Sequence, residues 1–263
     1  MSTMEYPTFR WLERGEGEPV LWLHGLMGEM DHWEGTLDAL QGVCRPLALT
    51  LPLLDRRLGG VSVPELAGYV KGFLDAVELP AAVVGGNSLG GHLALALALA
   101  YPDRVTGLVL TGSSGLLERG YTRGVPHRPT SAYVRDRMEE VFHDPTLVTS
   151  EWVERVRGIV TTRELARRLV QVAGAARRDN LEARLPEIRV PVLLVWGRDD
   201  RITPLEVGTR FHALLRDSEL VVLPRCGHAP MLEQPDLFAD VVRGWLMRSR
   251  ARRERLVPAG GPR

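Results

Sequence analysis

The sequence is poor in lysine, which limits the covalent chemistry open to the protein. Lys71 is its single lysine, although lysine and arginine together number 33 of the 263 residues. A Schiff-base mechanism needs a lysine amine at the reacting centre. Lys71 falls in a helix with a surface-like pattern, which argues against that chemistry.

The sequence also has few cysteines and no net charge. The two cysteines, Cys44 and Cys226, are too few for a disulfide framework and are compatible with a reducing compartment. The formal net charge is zero, so the composition favours neither nucleic acid nor a membrane surface as a partner. We therefore expect a small-molecule partner, and the sequence does not indicate an oligomeric state.

Long apolar runs are missing as well. No run approaches the ~20 residues that a membrane-spanning helix needs. Residues 1–7 lack the basic and apolar regions of a signal peptide. Together these absences predict a cytoplasmic protein. With 44% apolar residues, the chain can still build one large α/β core.

A serine flanked by glycines is the most informative feature that is present. Ser88 lies between Gly86 and Gly90 in the pattern G-x-S-x-G. A turn tight enough to push a serine hydroxyl out of the fold strains the backbone of the serine and leaves no room for side chains two residues away. The pattern predicts a nucleophile elbow, although ordinary glycine-rich turns show the same spacing.

The surrounding sequence favours the elbow. Small and β-branched residues at 81–85 predict a buried strand before the serine, and the leucines and alanines of 93–100 predict a helix after it. Such a helix directs its free N-terminal N–H groups toward the serine. Strand, turn and helix therefore occur in the order that an activated serine requires.

An acid and a base follow at the ends of two later predicted strands. The strand at 190–196 leads into Asp199 and Asp200, and the strand at 218–223 leads into His228. A serine hydroxyl needs a base to remove its proton and a carboxylate to orient that base. Because the carboxyl ends of parallel strands share one edge of a sheet, we expect these side chains to meet there.

Four segments together resemble the α/β-hydrolase superfamily over about residues 9–246. They are 23–28 (LHGLMG), 86–91 (GNSLGG), 196–204 (WGRDDRITP) and 226–230 (CGHAP). The resemblance implies the α/β-hydrolase fold, an α/β class fold with a mostly parallel central sheet and helices on both faces.

The same resemblance implies the roles of individual residues. Ser88 is the expected nucleophile, His228 the general base and then acid, and Asp200 the orienting carboxylate. The backbone N–H groups of Leu26 and Leu89 are the expected oxyanion hole. This chemistry needs no metal and no organic cofactor, and the sequence contains no dense cluster of metal ligands.

Each role has a competing interpretation. Asp199 competes with Asp200, since the two are neighbours on one loop, and the family spacing favours Asp200. His24 is expected to hydrogen-bond backbone beneath the oxyanion loop rather than to move protons. His92 is expected to be a packed or surface histidine, and Cys226 a reduced thiol without a catalytic role.

The chain divides into a core, an insertion and a tail. Residues 1–111 and 189–248 are expected to form the core, with further strands at 8–12, 20–24, 43–51 and 105–111 and helices at 62–78 and 235–247. The alternation of predicted strands and helices stops over residues 112–188. These residues are expected to form a helical cap, inserted after the strand that follows the helix next to Ser88. Residues 249–263 are expected to be a disordered tail.

Capping signals place the starts of several helices. Ser62 with Glu65 forms a capping-box pattern, as does Thr161 with Glu164. Asp31 is expected to cap a helix with Glu34 in its first turn. Thr203 is expected to cap another, with Pro204 at its first helical position.

The predicted insertion carries helices near 131–143, 150–160 and 162–178. It also carries residues that could line a substrate cavity, although helical spacing predicts most of them as packing residues. These are Tyr121, Tyr133, Met138, Phe142 and Trp152.

The predicted activity is hydrolysis of a small or medium carboxylic ester through an acyl-enzyme. The alternative is a carbon–carbon hydrolase, because the motifs resemble those of meta-cleavage-product hydrolases, although these usually carry tryptophan where this chain has Ala229. A non-catalytic small-molecule receptor is a third possibility. Ser88 argues against the haloalkane dehalogenases and epoxide hydrolases, which use an aspartate nucleophile.

Overall fold

A computed structural model describes residues 9–55, 62–116 and 129–256. Its strands lie close to the predicted ones. They are β1 (Trp11–Glu13), β2 (Pro19–Leu23), β3 (Arg45–Leu49), β4 (Ala82–Asn87), β5 (Val105–Thr111), β6 (Val192–Gly197) and β7 (Ser218–Leu223).

These strands form one sheet in the order β1-β3-β2-β4-β5-β6-β7. Only β1 runs antiparallel, against β3, whereas the remaining neighbours pair in parallel. The chain moves outward from β2 to β3 and then returns to β4 on the other side of β2. Sites in α/β sheets form at the carboxyl ends of strands beside such a reversal.

Helices cover both faces of this sheet. They are α1 (Glu34–Leu40), α2 (Val63–Ala76), α3 (Leu89–Ala100), α4 (Ser131–Glu139), α5 (Ser150–Thr161), α6 (Arg163–Arg178), α7 (Leu205–Leu214), α8 (Pro230–Glu233) and α9 (Pro235–Leu256). Short 3₁₀ turns occur at Met30–Trp33, Pro102–Arg104, Pro145–Leu147 and Glu182–Glu187. Within the described ranges, no helix is both long and apolar enough to cross a bilayer.

Alternating residues of the buried strands supply two hydrophobic clusters, one on each face. In β2, Leu21 and Leu23 belong to one cluster, and Val20 and Trp22 belong to the other. This alternation follows from the two-residue period of a strand. The chain has the α/β-hydrolase fold that its motifs imply.

The helices between β5 and β6 pack on both clusters. Buried side chains of α4 and α5 join the Trp22 cluster, whereas Val172 and Ala176 of α6 join the Leu21 cluster. We call this stretch the insertion, described here over residues 112–116 and 129–191. Its helices lie close to the three predicted positions.

Among the predicted helix starts, the capping box at Ser62 is confirmed. The Ser62 hydroxyl accepts from the N–H of Glu65, and the Glu65 carboxylate accepts from the N–H of Ser62. The other three predictions are wrong. Helix α1 begins at Glu34, after a 3₁₀ turn that already contains Asp31, and its N-cap residue is Trp33.

The predicted caps at Thr161 and Thr203 fail because both hydroxyls bond elsewhere. Thr161 Oγ1 donates to the Arg157 carbonyl (2.7 Å), and Thr162 occupies the N-cap position of α6. Thr203 Oγ1 donates to Asp200 Oδ2 (2.9 Å). Pro204 is therefore the N-cap residue of α7 rather than its first helical residue.

The expected tail is also wrong over its first part, because α9 continues through Leu256. Ion pairs join this extension to the core: Arg253 pairs with Glu18, and Arg252 pairs with Asp217. These partners are distant in sequence, so the run of arginines near the end of the chain does not by itself predict the pairs. Residues 257–263 lie outside the described residues.

Candidate active site

The turn at Ser88 has the strain that the elbow pattern predicts. Ser88 stands between the end of β4 and the start of α3 with φ 56° and ψ −117°. A positive φ is unfavourable for a residue with a side chain and persists only where the surrounding structure enforces it. Ser88 is partly exposed, whereas its neighbours Asn87 and Leu89 are buried.

The flanking glycines are required by close backbone approach. A Cβ atom on Gly86 would lie 2.3 Å from the carbonyl carbon of Gly90. A Cβ atom on Gly90 would lie 2.0 Å from the carbonyl oxygen of Leu23, at the end of β2. Both distances are far inside van der Waals contact, so the crowding expected of the G-x-S-x-G pattern is confirmed.

Asn87 joins the serine turn to the loop that carries His228. Its Nδ2 donates to the carbonyls of Thr111 (3.1 Å) and His228 (2.8 Å). The Thr111 carbonyl also accepts from the N–H of Ser88 (3.0 Å). Sequence reasoning missed this role of Asn87, since an asparagine within a glycine-rich turn gives no signal for a partner so far along the chain.

Asp200 and His228 form a buried pair at the same edge of the sheet. His228 Nδ1 lies 2.9 Å from Asp200 Oδ2, and both residues are about 95% buried, at 6% and 5% relative exposure. Asp200 Oδ1 accepts from the N–H groups of Ile202 (2.8 Å) and Thr203 (2.9 Å). These two bonds fix the orientation of the Asp200 carboxylate.

Asp199 points to a different partner. Its Oδ2 lies 2.9 Å from Nδ1 of His143 in the insertion, and both side chains are well exposed, at 38% and 40%. The structure therefore separates the two neighbouring aspartates that the sequence could not. Asp200 contacts His228, and Asp199 contacts the insertion.

His24 lies beneath the turn that follows β2, where both of its ring nitrogens bond backbone. Nε2 accepts from the N–H of Leu51 (2.9 Å), so Nδ1 carries the proton and donates to the carbonyl of Gly25 (2.8 Å). Burial lowers the pKa of His24 to about 4. The expectation that this histidine bonds backbone is confirmed.

Leu26 and Leu89, the expected oxyanion donors, lie on two segments that flank Ser88. Leu26 belongs to a turn closed by a bond from the N–H of Gly28 to the carbonyl of Gly25 (3.1 Å). This turn packs on the serine, since a Cβ atom on Gly25 would lie 3.3 Å from Ser88 Cβ. Leu89 is the first residue of α3, so its N–H has no carbonyl one turn earlier to bond.

The remaining candidates are buried groups with their own contacts. His92 is fully buried on α3, with Nε2 3.1 Å from Asp179 Oδ2 and Nδ1 3.4 Å from Ser114 Oγ. Cys226 is a buried free thiol whose pKa is raised by burial, which disfavours the reactive thiolate. The packed-histidine interpretation of His92 is confirmed.

The described aromatic candidates for substrate contact serve mainly as packing. Phe142 is buried, and its ring centroid lies 5.6 Å from that of Trp152. Trp152 in turn lies edge-on to His32 at 5.2 Å. Met138 is buried in the same cluster, and Tyr133 packs against it. Tyr121 lies outside the described residues.

A cavity of about 530 Å³ opens beside residues 198–204, which join β6 to α7 and which we call the acid loop. Its described lining residues are His143, Arg198, Asp199, Asp200, Arg201, Pro204, Leu205 and Glu206. Ser88 does not line it, so this cavity is not a chamber for attack by the serine. Across the described ranges, no group of three or more His, Cys, Asp or Glu side chains could hold a metal ion.

Comparisons with known proteins agree with this fold. The family model described as the alpha/beta hydrolase family matches residues 20–241. The 2-hydroxy-6-oxo-2,4-heptadienoate hydrolase of Pseudomonas putida is 30% identical over 248 residues, covering 88% of this chain and 90% of that protein.

Two solved structures extend the agreement. An alpha/beta hydrolase enzyme from the metagenome of lagoon sediments at Mar Chica, Morocco, is 32% identical, with a TM-score of 0.76 over 93% of this chain and 97% of that one. The meta-cleavage product hydrolase CumD of Pseudomonas fluorescens IP01 is 25% identical, with a TM-score of 0.79 over 92% and 94%. The chain is a hydrolase and belongs to the alpha/beta hydrolase family.

Proposed function

We propose that this enzyme is a serine hydrolase with Ser88 as nucleophile, His228 as general base and Asp200 as orienting carboxylate. The observation that carries the proposal is a strained, partly exposed serine at the same sheet edge as a buried aspartate–histidine pair. The Asn87 side chain bonds the His228 carbonyl and so holds the two loops together.

The roles follow from the hydrogen bonds around the imidazole. Asp200 engages Nδ1 of His228, which leaves Nε2 for the proposed proton transfer from the serine hydroxyl. His228 then takes the proton from Ser88 Oγ as this oxygen attacks a carbonyl carbon. Asp200 stabilises the imidazolium that forms, and Thr203 helps to hold the carboxylate in place.

The N–H groups of Leu26 and Leu89 are proposed to stabilise the oxyanion. They lie on two segments next to Ser88, the turn after β2 and the start of α3. Donors fixed before the reaction need no reorganisation when charge develops. The loss of one such donor typically raises the barrier by about 3 kcal/mol.

For the substrate we propose a 2-hydroxy-6-oxo-dienoate, with hydrolysis of a carbon–carbon bond. Relatives at 30–35% identity are named as hydrolases of such compounds. The sequence alone favoured an ester, and these relatives favour the carbon–carbon alternative. Both reactions begin with the same attack of a serine on a carbonyl carbon.

The carbon–carbon reaction needs an acceptor for an electron pair. Once the 2-hydroxy dienol is in its keto form, Ser88 Oγ adds to the 6-oxo carbon. The bond between carbons 5 and 6 then breaks, and its electrons pass along the conjugated chain to the oxygen on carbon 2, which takes the proton from His228. Water activated by His228 then hydrolyses the acyl-enzyme, so one water is consumed overall.

An ester substrate is the second candidate, because one residue departs from the meta-cleavage pattern. Ala229 follows His228 where those hydrolases usually carry tryptophan, and here the alanine is buried. Under either substrate, residues 112–188 are proposed to act as a cap that excludes water from the acyl-enzyme.

The test compares the wild-type enzyme with Ser88→Ala on two substrates. Turnover of 2-hydroxy-6-oxo-2,4-heptadienoate is followed by loss of its dienolate absorbance, and turnover of p-nitrophenyl butyrate by release of nitrophenolate. We expect dienoate kcat/KM to exceed the ester value by about tenfold or more, and Ser88→Ala to lower both by about 10⁶-fold.

Fluorophosphonate labelling of the two proteins separates the outcomes. A labelled wild type that turns over only the ester would favour the second candidate. A wild type that takes no label would refute the nucleophile assignment, and full labelling of Ser88→Ala would place the nucleophile elsewhere.

A further inference from the structure

A carboxylate outside the proposed triad binds three backbone N–H groups. Glu233 ends α8, shortly after His228, and is partly buried. Its Oε1 accepts from the N–H of Gly227 (2.6 Å). Its Oε2 accepts from the N–H groups of His143 (2.7 Å) and Asp144 (3.4 Å). The two oxygens therefore face two different parts of the chain.

One of these parts carries the proposed base. Gly227 immediately precedes His228, and we call residues 226–229 the histidine loop. The other part, residues 141–144, follows α4 in the insertion, and we call it the brace. The Glu233 carboxylate thus connects the histidine loop to the brace through backbone donors that no local sequence pattern links.

The brace also contacts the histidine loop and the acid loop directly. The N–H of His228 donates to the carbonyl of Val141 (2.7 Å). The imidazole of His143 pairs with Asp199, next to Asp200 on the acid loop (2.9 Å). One short segment of the insertion is therefore bonded to the loop of the proposed base and to the loop of the proposed acid.

The packing at this junction leaves little freedom. A Cβ atom on Gly227 would lie 2.5 Å from the Val141 carbonyl oxygen. It would lie 2.9 Å from both Glu233 Oε1 and the backbone nitrogen of His143. The histidine loop and the brace therefore meet backbone to backbone. A small shift of either one moves the other.

The contacts of Glu233 are those of a structural carboxylate between two segments rather than those of a solvated surface charge. Among the described residues it forms no ion pair with a lysine or arginine. Burial raises its pKa, while its bonds to backbone N–H groups act in the opposite direction. A carboxylate that accepts several N–H bonds in place of a counter-ion has a fixed orientation. The same bonds restrain the backbone segments that donate to it.

From this junction we propose that Glu233 is a positioning residue for His228, acting through Gly227 and the brace. The inference rests on the proposed function, because it assigns Glu233 the task of keeping the imidazole between Asp200 and Ser88. It predicts that Glu233 affects the chemical step more than substrate binding, since a small misplacement of a catalytic group lowers its rate steeply.

The informative variant is Glu233→Gln, which keeps the shape of the side chain. Its amide NH₂ would face a backbone N–H at one of the two sites, so donor would meet donor and one bond would be lost. Glu219→Gln is the matched control, because Glu219 is an exposed glutamate near the start of β7 that pairs with Arg248 of α9 and contacts neither the histidine loop nor the brace in the described hydrogen bonds and ion pairs. The control should label and turn over as the wild type does.

The readouts are the number of sites labelled by a fluorophosphonate, the labelling rate per site, and kcat and KM. In Glu233→Gln we expect one labelled site per chain, with labelling rate and kcat lower by about 10- to 100-fold and KM changed by less than about threefold. A purely structural role would instead lower kcat and the number of labelled sites together.

Three outcomes would overturn the inference. The first is a labelling rate per site in Glu233→Gln equal to that of the wild type, and the second is a loss of kcat matched by an equal loss of labelled sites. If the wild type itself takes no label, the proposed function fails first, and this inference fails with it.

A second variant covers the case in which Glu233→Gln does not fold. Glu233→Asp keeps the charge on a shorter side chain that cannot reach both segments. Its labelling rate per site should fall by about fivefold or more, and an unchanged rate would count against the inference.

Discussion

The loops after β2 and β7 each place a histidine at the carboxyl edge of the sheet, and the two histidines are buried to almost the same degree. They differ in what binds their rings. Both nitrogens of His24 are taken up by backbone groups, whereas Nδ1 of His228 faces a carboxylate. A buried histidine is therefore classified by its partners rather than by its exposure. His24 stabilises a turn, whereas proton transfer at Nε2 is the role that we propose for His228.

The strongest way to test this difference is to remove the carboxylate that distinguishes the two rings. Asp200→Asn should leave the fold intact and lower kcat by about 10⁴-fold, because the amide no longer favours the imidazolium or the required tautomer. Steady-state kinetics on the better substrate, with unfolding curves recorded alongside, would measure this. A loss below about tenfold would show that His228 does not depend on Asp200.

A smaller effect is expected when His24 is replaced, and it should concern stability. The ordinary pKa of this histidine is 6.5, and burial lowers it to about 4 in the folded protein. Between these values the unfolded chain binds a proton that the folded chain does not. The contribution of His24 to stability is therefore complete above pH 6.5 and is lost as the pH falls toward 4.

Urea unfolding of the wild type and His24→Gln at pH 7 and pH 5 would measure that contribution. The wild type should lose about 2 kcal/mol more than the variant between these two pH values, because Gln does not titrate. The variant should also be less stable at pH 7, since a flexible amide does not hold an acceptor for the Leu51 N–H and a donor for the Gly25 carbonyl at the two ring-nitrogen positions. Equal pH dependence in the two proteins would contradict the structural role of His24.

The smallest effect is expected at the neighbouring carboxylate. Asp199→Asn removes only an exposed pair with His143, and such pairs contribute about 0–1 kcal/mol. We expect kcat within about threefold of the wild type and a similarly small change in stability. If Asp199→Asn were the inactive variant and Asp200→Asn the active one, the assignment of the acid would have to be reversed.

The sequence predicted best where the structural cause is local. Strand β5 begins and ends at the predicted residues, and the turn at Ser88 has the predicted crowding, because flanking glycines and apolar runs determine both. The fold class followed from strands that alternate with helices. The catalytic roles of Ser88, Asp200 and His228 stay predictions until the variants are measured.

The failures arose where a side chain had two partners to choose between. The hydroxyls of Thr161 and Thr203 could each have capped a helix, but one bonds the preceding turn and the other bonds Asp200. The contacts of Glu233 could not be predicted from the sequence. The His143 N–H group that donates to its carboxylate lies 90 positions earlier in the chain. The helical extension to Leu256 was missed for the same reason.

The backbone of Ser88 has a consequence for directed evolution. Its positive φ is tolerated by glycine without strain, whereas a residue with a side chain pays about 1–3 kcal/mol for such a conformation. A library screened for thermal resistance alone should therefore enrich glycine at position 88 and discard the hydroxyl. Any improvement campaign on this enzyme has to select for turnover and heat tolerance in the same round, because at this position the two requirements are opposed.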